Sequence, residues 1–119
     1  MKYLCLAYYD EKKFDALSKI EMEEIGRKCK PYDEALRESG HLVVTGSLQS
    51  ARSATTIRPR KGKVSITDGP FAETKEQLGG FYLVEAKDLD EAIKLAGGIP
   101  AVRTGSIEVR PIMPTPPVE

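Results

Sequence analysis

The run Thr67-Asp68-Gly69-Pro70-Phe71-Ala72-Glu73-Thr74-Lys75-Glu76-Gln77-Leu78-Gly79-Gly80 lies between two stretches that read as β-strands, Val64–Thr67 and Phe81–Ala86. A hairpin between neighbouring strands usually needs only about 2–5 residues. This insertion is much longer and carries Asp68, Glu73, Lys75 and Glu76. Long connections without secondary structure are commonly functional in compact domains. Both the fold and the search for a site therefore start here.

Upstream of the run, Thr55–Arg60 reads as a strand that turns through Lys61-Gly62 into Val64–Thr67. Downstream, Phe81–Ala86 alternates Phe81 and Leu83 on one face with Tyr82 and Val84 on the other. Asp88 with Glu91 three residues on opens a short helix, with Leu89, Ala92, Ile93 and Ala96 expected inward and Gly97-Gly98 as its stop. Ser106–Ile112 is the last strand. Towards the N-terminus, Lys2–Tyr9 is a first strand. Ser18 and Glu21 have capping-box spacing, with Leu17 and Met22 placed as a hydrophobic staple. Ile25, Cys29, Tyr32 and Leu36 then recur at helical spacing, through Pro31, to Gly40 as a left-handed cap. One kinked helix or two collinear pieces would satisfy that pattern. His41–Leu48 follows as a strand.

The order β-α-β-(β)-β-β-α-β, with Thr55–Thr67 as an added hairpin, is an α+β ferredoxin-like split β-α-β plan. Its antiparallel sheet carries both helices on one face and leaves the other uncovered. Residues 1–112 are expected to form a single domain and residues 113–119, with three prolines, a tail. Ile107 and Val109 alternate with Glu108 and Arg110. Leu4, Leu6 and Tyr8 alternate with Tyr3, Cys5, Ala7 and Tyr9. The second set on each strand is too mixed for pure solvent and too polar for a dry core, which assigns it to the uncovered face. Such a face is expected to be shared with a second copy in a homodimer, leaving a partly polar cleft.

Composition narrows the class of function. Of 119 residues, 40% are hydrophobic and 30% charged, enough for one modest core. Eighteen basic and eighteen acidic side chains cancel, so no global field draws the chain to nucleic acid or anionic lipid. The basic patch Arg58-Pro59-Arg60-Lys61-Gly62-Lys63 lacks interleaved aromatics for base stacking. No run approaches the ~20 apolar residues of a membrane span. The apolar N-terminal stretch is cut short by Asp10-Glu11-Lys12-Lys13 and has no cleavage site, so it reads as a strand rather than a signal peptide. Two isolated cysteines, Cys5 and Cys29, read as buried thiols of a reducing compartment, and the expected location is the cytoplasm.

The motif Asp68-Gly69-Pro70-Phe71-Ala72-Glu73-Thr74-Lys75-Glu76, followed by Gly79-Gly80-Phe81, resembles the signature of the DGPF group of the YCII-related proteins. Asp88-Leu89-Asp90-Glu91-Ala92 and Gly105-Ser106-Ile107-Glu108-Val109-Arg110-Pro111 are similar to that group's closing helix and strand. With the Tyr-rich first strand, the likeness spans nearly the whole chain. It implies a ferredoxin-like subunit that pairs into a dimeric α/β barrel, in a family whose activities are mostly unestablished. Some relatives in the wider superfamily are thought to use a His–Asp pair in the cleft between the sheets. This chain departs from them: its sole histidine, His41, opens the second strand as a water-exposed edge residue. The first long helix holds Cys29 where those relatives would carry a histidine.

Asp68 ends a strand whose Val64 and Ile66 share its face, so it is either buried or at the rim of a cleft. Desolvated there, it would gain strength as a general base. Alternatively it serves the Asp-Gly turn by accepting a backbone N–H. Glu73 and Lys75 are ligand-contact candidates within a run that otherwise reads as solvated. Gly79 and Gly80 permit close backbone approach, whether by a ligand or by the loop itself. Arg103, without an evident local partner, and Arg110, following Glu108 on one face, are the candidate holders of an anionic group. One histidine and two separated cysteines do not make an ordinary metal site. No nucleophile elbow, Walker loop or dinucleotide fingerprint is present. Any catalysis is thus expected to need no cofactor. Two functions remain open. One is a small-molecule site, with Asp68 moving a proton and Arg103 holding an anion. The other is a non-catalytic dimer that binds a metabolite or a protein, since some DGPF-type proteins are encoded near sigma factors.

Overall fold

A computed structural model describes residues 1–100 and 104–114. Strand β1 (Lys2–Tyr9) runs into a short helix α1 (Glu11–Asp15) and a long helix α2 (Lys19–Glu38). Next come β2 (Leu42–Ser47), a 3-10 turn (Ala51–Ser53), β3 (Thr55–Arg60) and β4 (Lys63–Asp68). The chain closes with β5 (Gln77–Glu85), α3 (Leu89–Gly97) and β6 (Gly105–Pro111). The main sheet has the order β2-β5-β1-β6, antiparallel throughout, and β3-β4 form a separate two-stranded sheet. This is the ferredoxin-like split β-α-β plan with an inserted hairpin.

Local chemistry sets the ends of these elements. Ser18 accepts from the Glu21 N–H, and the Glu21 carboxylate accepts from the Ser18 N–H, closing the capping box. Pro31 stays inside one continuous helix. At the other end Gly40 adopts φ +83 and donates to Arg37 O, while His41 N–H reaches Leu36 O, the paired bonds of a Schellman cap. Asp88 caps α3 by accepting from Glu91 N–H. Lys61 and Gly62 both take positive φ in the β3–β4 turn, the geometry that a two-residue hairpin requires. At five residues, α1 is too short to show a helical periodicity in sequence. Asp10 caps it by accepting from Lys12 N–H, and Phe14 folds back so that its ring lies 4.8 Å from that of Tyr9.

Both long helices cover one face of the sheet. Tyr3, Cys5, Tyr82 and Val84 pack there against Leu36 of α2 and Ala92 and Ala96 of α3, with Ala86 and Ile99 closing the ends. Three expectations are corrected. First, Tyr3, Cys5 and Ala7 belong to the core, not to the uncovered face. The register places Cys5 opposite Val109 and Ala7 opposite Ile107, so these side chains share the helix side. Leu4, Leu6 and Tyr8 stand instead beside Arg110, Glu108 and Ser106. Second, β5 begins at Gln77 rather than Phe81, because Gln77 and Leu78 pair with Tyr9 and Tyr8 beyond an irregularity in the ladder. The open connection shrinks accordingly. Third, Leu89 and Ile93 are exposed and only Ala92 and Ala96 of that helix face are buried.

The face away from the helices therefore presents Leu4, Leu6 and Tyr8 of β1, Phe81 and Leu83 of β5, and Val44 of β2. Among the described residues, the helices pack on the other face and none covers this one. An apolar strand on both sides is the pattern of a strand covered on both sides.

Candidate functional site

The motif loop leaves β4 at Asp68, which stands opposite Thr55 at the base of the hairpin and is exposed. Gly69 follows at φ +108, a conformation that a side chain would strain. Its N–H donates to Ala54 O at 2.7 Å, and Thr56 Oγ1 donates to its carbonyl at 2.8 Å. Arg58 Nη2 donates to Phe71 O at 2.9 Å while its guanidinium sits 5.1 Å from the centre of the Phe71 ring. The loop is thus sewn to β3, and Phe71 is held outward, 76% exposed. One member of the basic patch, Arg58, has a structural duty there.

A second set of bonds joins the loop to the sheet end. The Glu11 carboxylate accepts from Ser50 Oγ (3.0 Å) and Ala51 N–H (2.7 Å). The Glu11 N–H donates to Gln77 Oε1, and Gln77 Nε2 donates to Thr74 O. Glu76 accepts from Ser106 Oγ at 2.9 Å, which ties the loop to β6. Three chain segments are fixed around one depression.

That depression is a cavity of about 750 Å³. The sheet end contributes Tyr8, Gln77 and Leu78, the hairpin base Thr55, Thr56 and Ile57, and the loop Pro70, Phe71, Ala72 and Thr74. The segment Leu48–Ala54 supplies the remaining wall, with Ser50 and Ser53. Its polar groups are hydroxyls and amides, and Tyr8 is the one titratable residue among the described residues that line it. A smaller, charged depression of about 360 Å³ adjoins it, bordered by Glu11, Asp15, Arg52 and Glu73. Arg52 there reaches Asp15 Oδ2 at 3.5 Å. Among the described residues, no three His, Cys, Asp or Glu side chains gather closely enough to hold a metal ion.

The residues singled out in the sequence are spread around this feature. Glu73 borders the smaller depression, and Asp68 and Lys75 are exposed outside both linings. Gly79 and Gly80 are buried in β5, where a Cβ would stand 1.8 Å from Tyr9 Cε1 and 3.0 Å from Gly46 O respectively. Arg110 lies opposite Leu4, at the far end of the open sheet face. Glu108 accepts from Tyr8 Oη at 3.4 Å, and among the described residues no ion pair joins it to Arg110. Arg103 lies outside the described residues. His41 is half-buried rather than exposed, its Nδ1 2.8 Å from Glu85 O and 3.9 Å from Glu91 Oε1. The residues that sequence reasoning passed over are Tyr8, Glu11, Thr56, Arg58 and Gln77. Of these, Tyr8 stood in the Tyr-rich first strand and Arg58 in the basic patch, neither with a site role attached.

A second polar cluster lies on the helix side of the sheet. Tyr82 Oη donates to Asp33 Oδ1 at 2.5 Å. Burial, and then that bond and the nearby carboxylate, push the Tyr82 phenol far above its ordinary range. Burial also raises the Cys5 and Cys29 thiols and the Tyr9 and Tyr32 phenols, with Asp33 adding to the effect at Cys29 and Tyr32. All five favour the protonated form in the fold. Their contribution is present below the ordinary values of 9.0 for Cys and 10.0 for Tyr and is lost as the pH climbs past them. Urea unfolding should therefore show stability falling above about pH 9, by up to about 1.4 kcal/mol per pH unit for each group ionised only in the unfolded chain. In Tyr82→Phe the fall above pH 10 should be shallower, after a loss of about 1 kcal/mol at neutral pH from the missing hydrogen bond. A pH profile parallel to wild type would contradict this account of Tyr82.

A family model described as the YCII-related domain matches residues 1–116. An uncharacterised protein of Rhizobium meliloti (strain 1021) is 41% identical over 114 residues, spanning 94% of this chain and 92% of that protein. The matched length takes in all six strands, the hairpin and the motif loop, and the chain belongs to the YCII-related family.

Proposed function

We propose that this chain pairs through its open sheet face into a dimeric α/β barrel and binds a small molecule in the cavity beside the motif loop. The observation that carries this reading is the cavity's position. It opens where the apolar sheet face, through Tyr8 and Leu78, meets the hydrogen-bonded loop from Gly69 to Thr74. A partner laid on that face would turn an open depression into an enclosed cleft. The lining suits a ligand with an apolar body and a few hydroxyl, carbonyl or amide groups.

Acid–base catalysis is the stronger form of the reading; it asks Asp68, at the hairpin base outside the cavity's lining, to move the proton, and Arg103 or Arg110 to hold an anionic group. Binding without catalysis, in an accessory or regulatory dimer of the DGPF group, is favoured by one observation. Among the described residues, no carboxylate, histidine or cysteine lines the larger cavity. In either form the protein works in the cytoplasm.

A thermal-shift screen of the purified chain against small carboxylates, phosphates and hydroxyaromatics tests the reading. A ligand at 100 times its dissociation constant adds about 2.7 kcal/mol. The expected hit disappears in Ala72→Trp, which fills the cavity mouth at an exposed loop position. Turnover of that ligand lost in Asp68→Asn, with binding retained, would establish the catalytic form. A panel without a hit, or a hit indifferent to Ala72→Trp, would overturn the cavity as the site.

A further inference from the structure

We propose that the β3–β4 hairpin is an arm that packs against a second copy of this chain, its apolar face extending the interface that the open sheet face begins. The proposal rests on the pairing through the sheet argued above. In the register of the hairpin, Ile57 stands opposite Ile66 and Pro59 opposite Val64, so all four side chains share one face. Ile57, Val64 and Ile66 are 65%, 65% and 69% exposed. Thr56, Arg58 and Ser65 on the opposite face are half-buried. Within one chain the hairpin is inside out, with its polar side inward and its apolar side in water. An isolated two-stranded sheet is marginally stable at best in water, and packing of its apolar side against another element is what stabilises it.

The surface of the whole chain exceeds what a lone compact chain of this mass exposes. The chain exposes 8986 Å², whereas a compact monomer of this mass exposes about 6,400 Å². The eight residues outside the description account for at most about 1,300 Å² of the difference, at the scale of an unfolded chain. What remains exceeds the ~800 Å² that each partner buries in a standard stable complex. The radius of gyration, 16.6 Å, is likewise well above the ~13.5 Å of a compact chain of this length.

A second copy is the occupant because the two apolar faces are continuous. The cavity is lined by Tyr8 and Leu78 from the sheet face and by Thr55 and Ile57 from the apolar face of the hairpin. A partner seated on the sheet thus abuts the hairpin, and two-fold symmetry makes the contact reciprocal. Each arm would then wall the cleft of the dimer.

The test combines sedimentation velocity with amide exchange of the full chain at low and high micromolar concentration. For the wild type, amides of Thr55–Arg60 and Lys63–Asp68 should exchange more slowly at the higher concentration, where the dimer forms. The double variant I57T/I66T keeps β-branched side chains but removes apolar contact, and should weaken dimerisation about tenfold or more. A wild type that is monomeric throughout would overturn the sheet pairing and the arm together. A dimeric wild type with concentration-independent hairpin exchange, and an unchanged dissociation constant in I57T/I66T, would overturn the arm alone. If the variant does not fold, the exchange of the wild-type hairpin decides.

Discussion

Gly105→Ala should lower stability by about 3 kcal/mol, because the added methyl group meets backbone that has nowhere to go. Its Cβ would stand 1.9 Å from Tyr8 O and 3.1 Å from Tyr9 Cα. Gly105 is also the residue paired with Tyr9 at the first rung of the β1–β6 ladder. Relief would require β6 to leave β1, which costs the core its Ile107 and Val109 contacts. For a domain of this size such a loss lowers the melting temperature by roughly 10 °C. Gly79 is a useful contrast, since the atoms that its Cβ would meet belong to the Tyr9 ring, which can swing aside. Gly97→Ala is the control. No atom lies within 4 Å of its Cβ position, and helical alanine there should be neutral or slightly stabilising. A Gly105→Ala protein that melts with the wild type would contradict the close approach of these strands.

In the dimer proposed above, Leu6→Asp should separate the two copies while leaving the subunit folded. Leu6 lies on the open sheet face, opposite Phe81 on one side and Glu108 on the other. It contributes nothing to the core between sheet and helices. In a dimer joined through that face, the substitution buries a carboxylate without a partner, beside Glu108 and in both copies. A cost of about 4 kcal/mol weakens association roughly a thousandfold. Light scattering after size exclusion would read the change in mass, and far-ultraviolet circular dichroism would check the fold. A Leu6→Asp protein that remains dimeric would move the interface elsewhere.

The elements marked by local chemistry were legible in the sequence. Ser18 with Glu21, Gly40, Lys61-Gly62 and Asp88 with Glu91 each carry their own signal, and each does in the fold what its residue type dictates. What failed was the choice between two apolar faces of one strand. In β1 both Leu4-Leu6-Tyr8 and Tyr3-Cys5-Ala7 are apolar enough to be buried, and only the register against Val109 and Ile107 selects the second set. Gln77-Leu78-Gly79-Gly80 read as loop because paired glycines weaken a strand. Here the missing side chain of Gly79 makes room for Tyr9, and the strand continues past an irregularity in its pairing with β1 at that residue. The cavity was the least legible feature. Its residues come from β1, the segment after β2, the hairpin base, the loop and β5. They are mostly uncharged, so no cluster of catalytic residue types announced them.

Sedimentation equilibrium of the wild-type chain tests the central claim, that the site forms at an interface between two copies, most directly. The account predicts a mass that rises with concentration through the micromolar range to twice the 13.1 kDa of the chain. A mass of 13.1 kDa at every concentration would leave the open sheet face bare and contradict it.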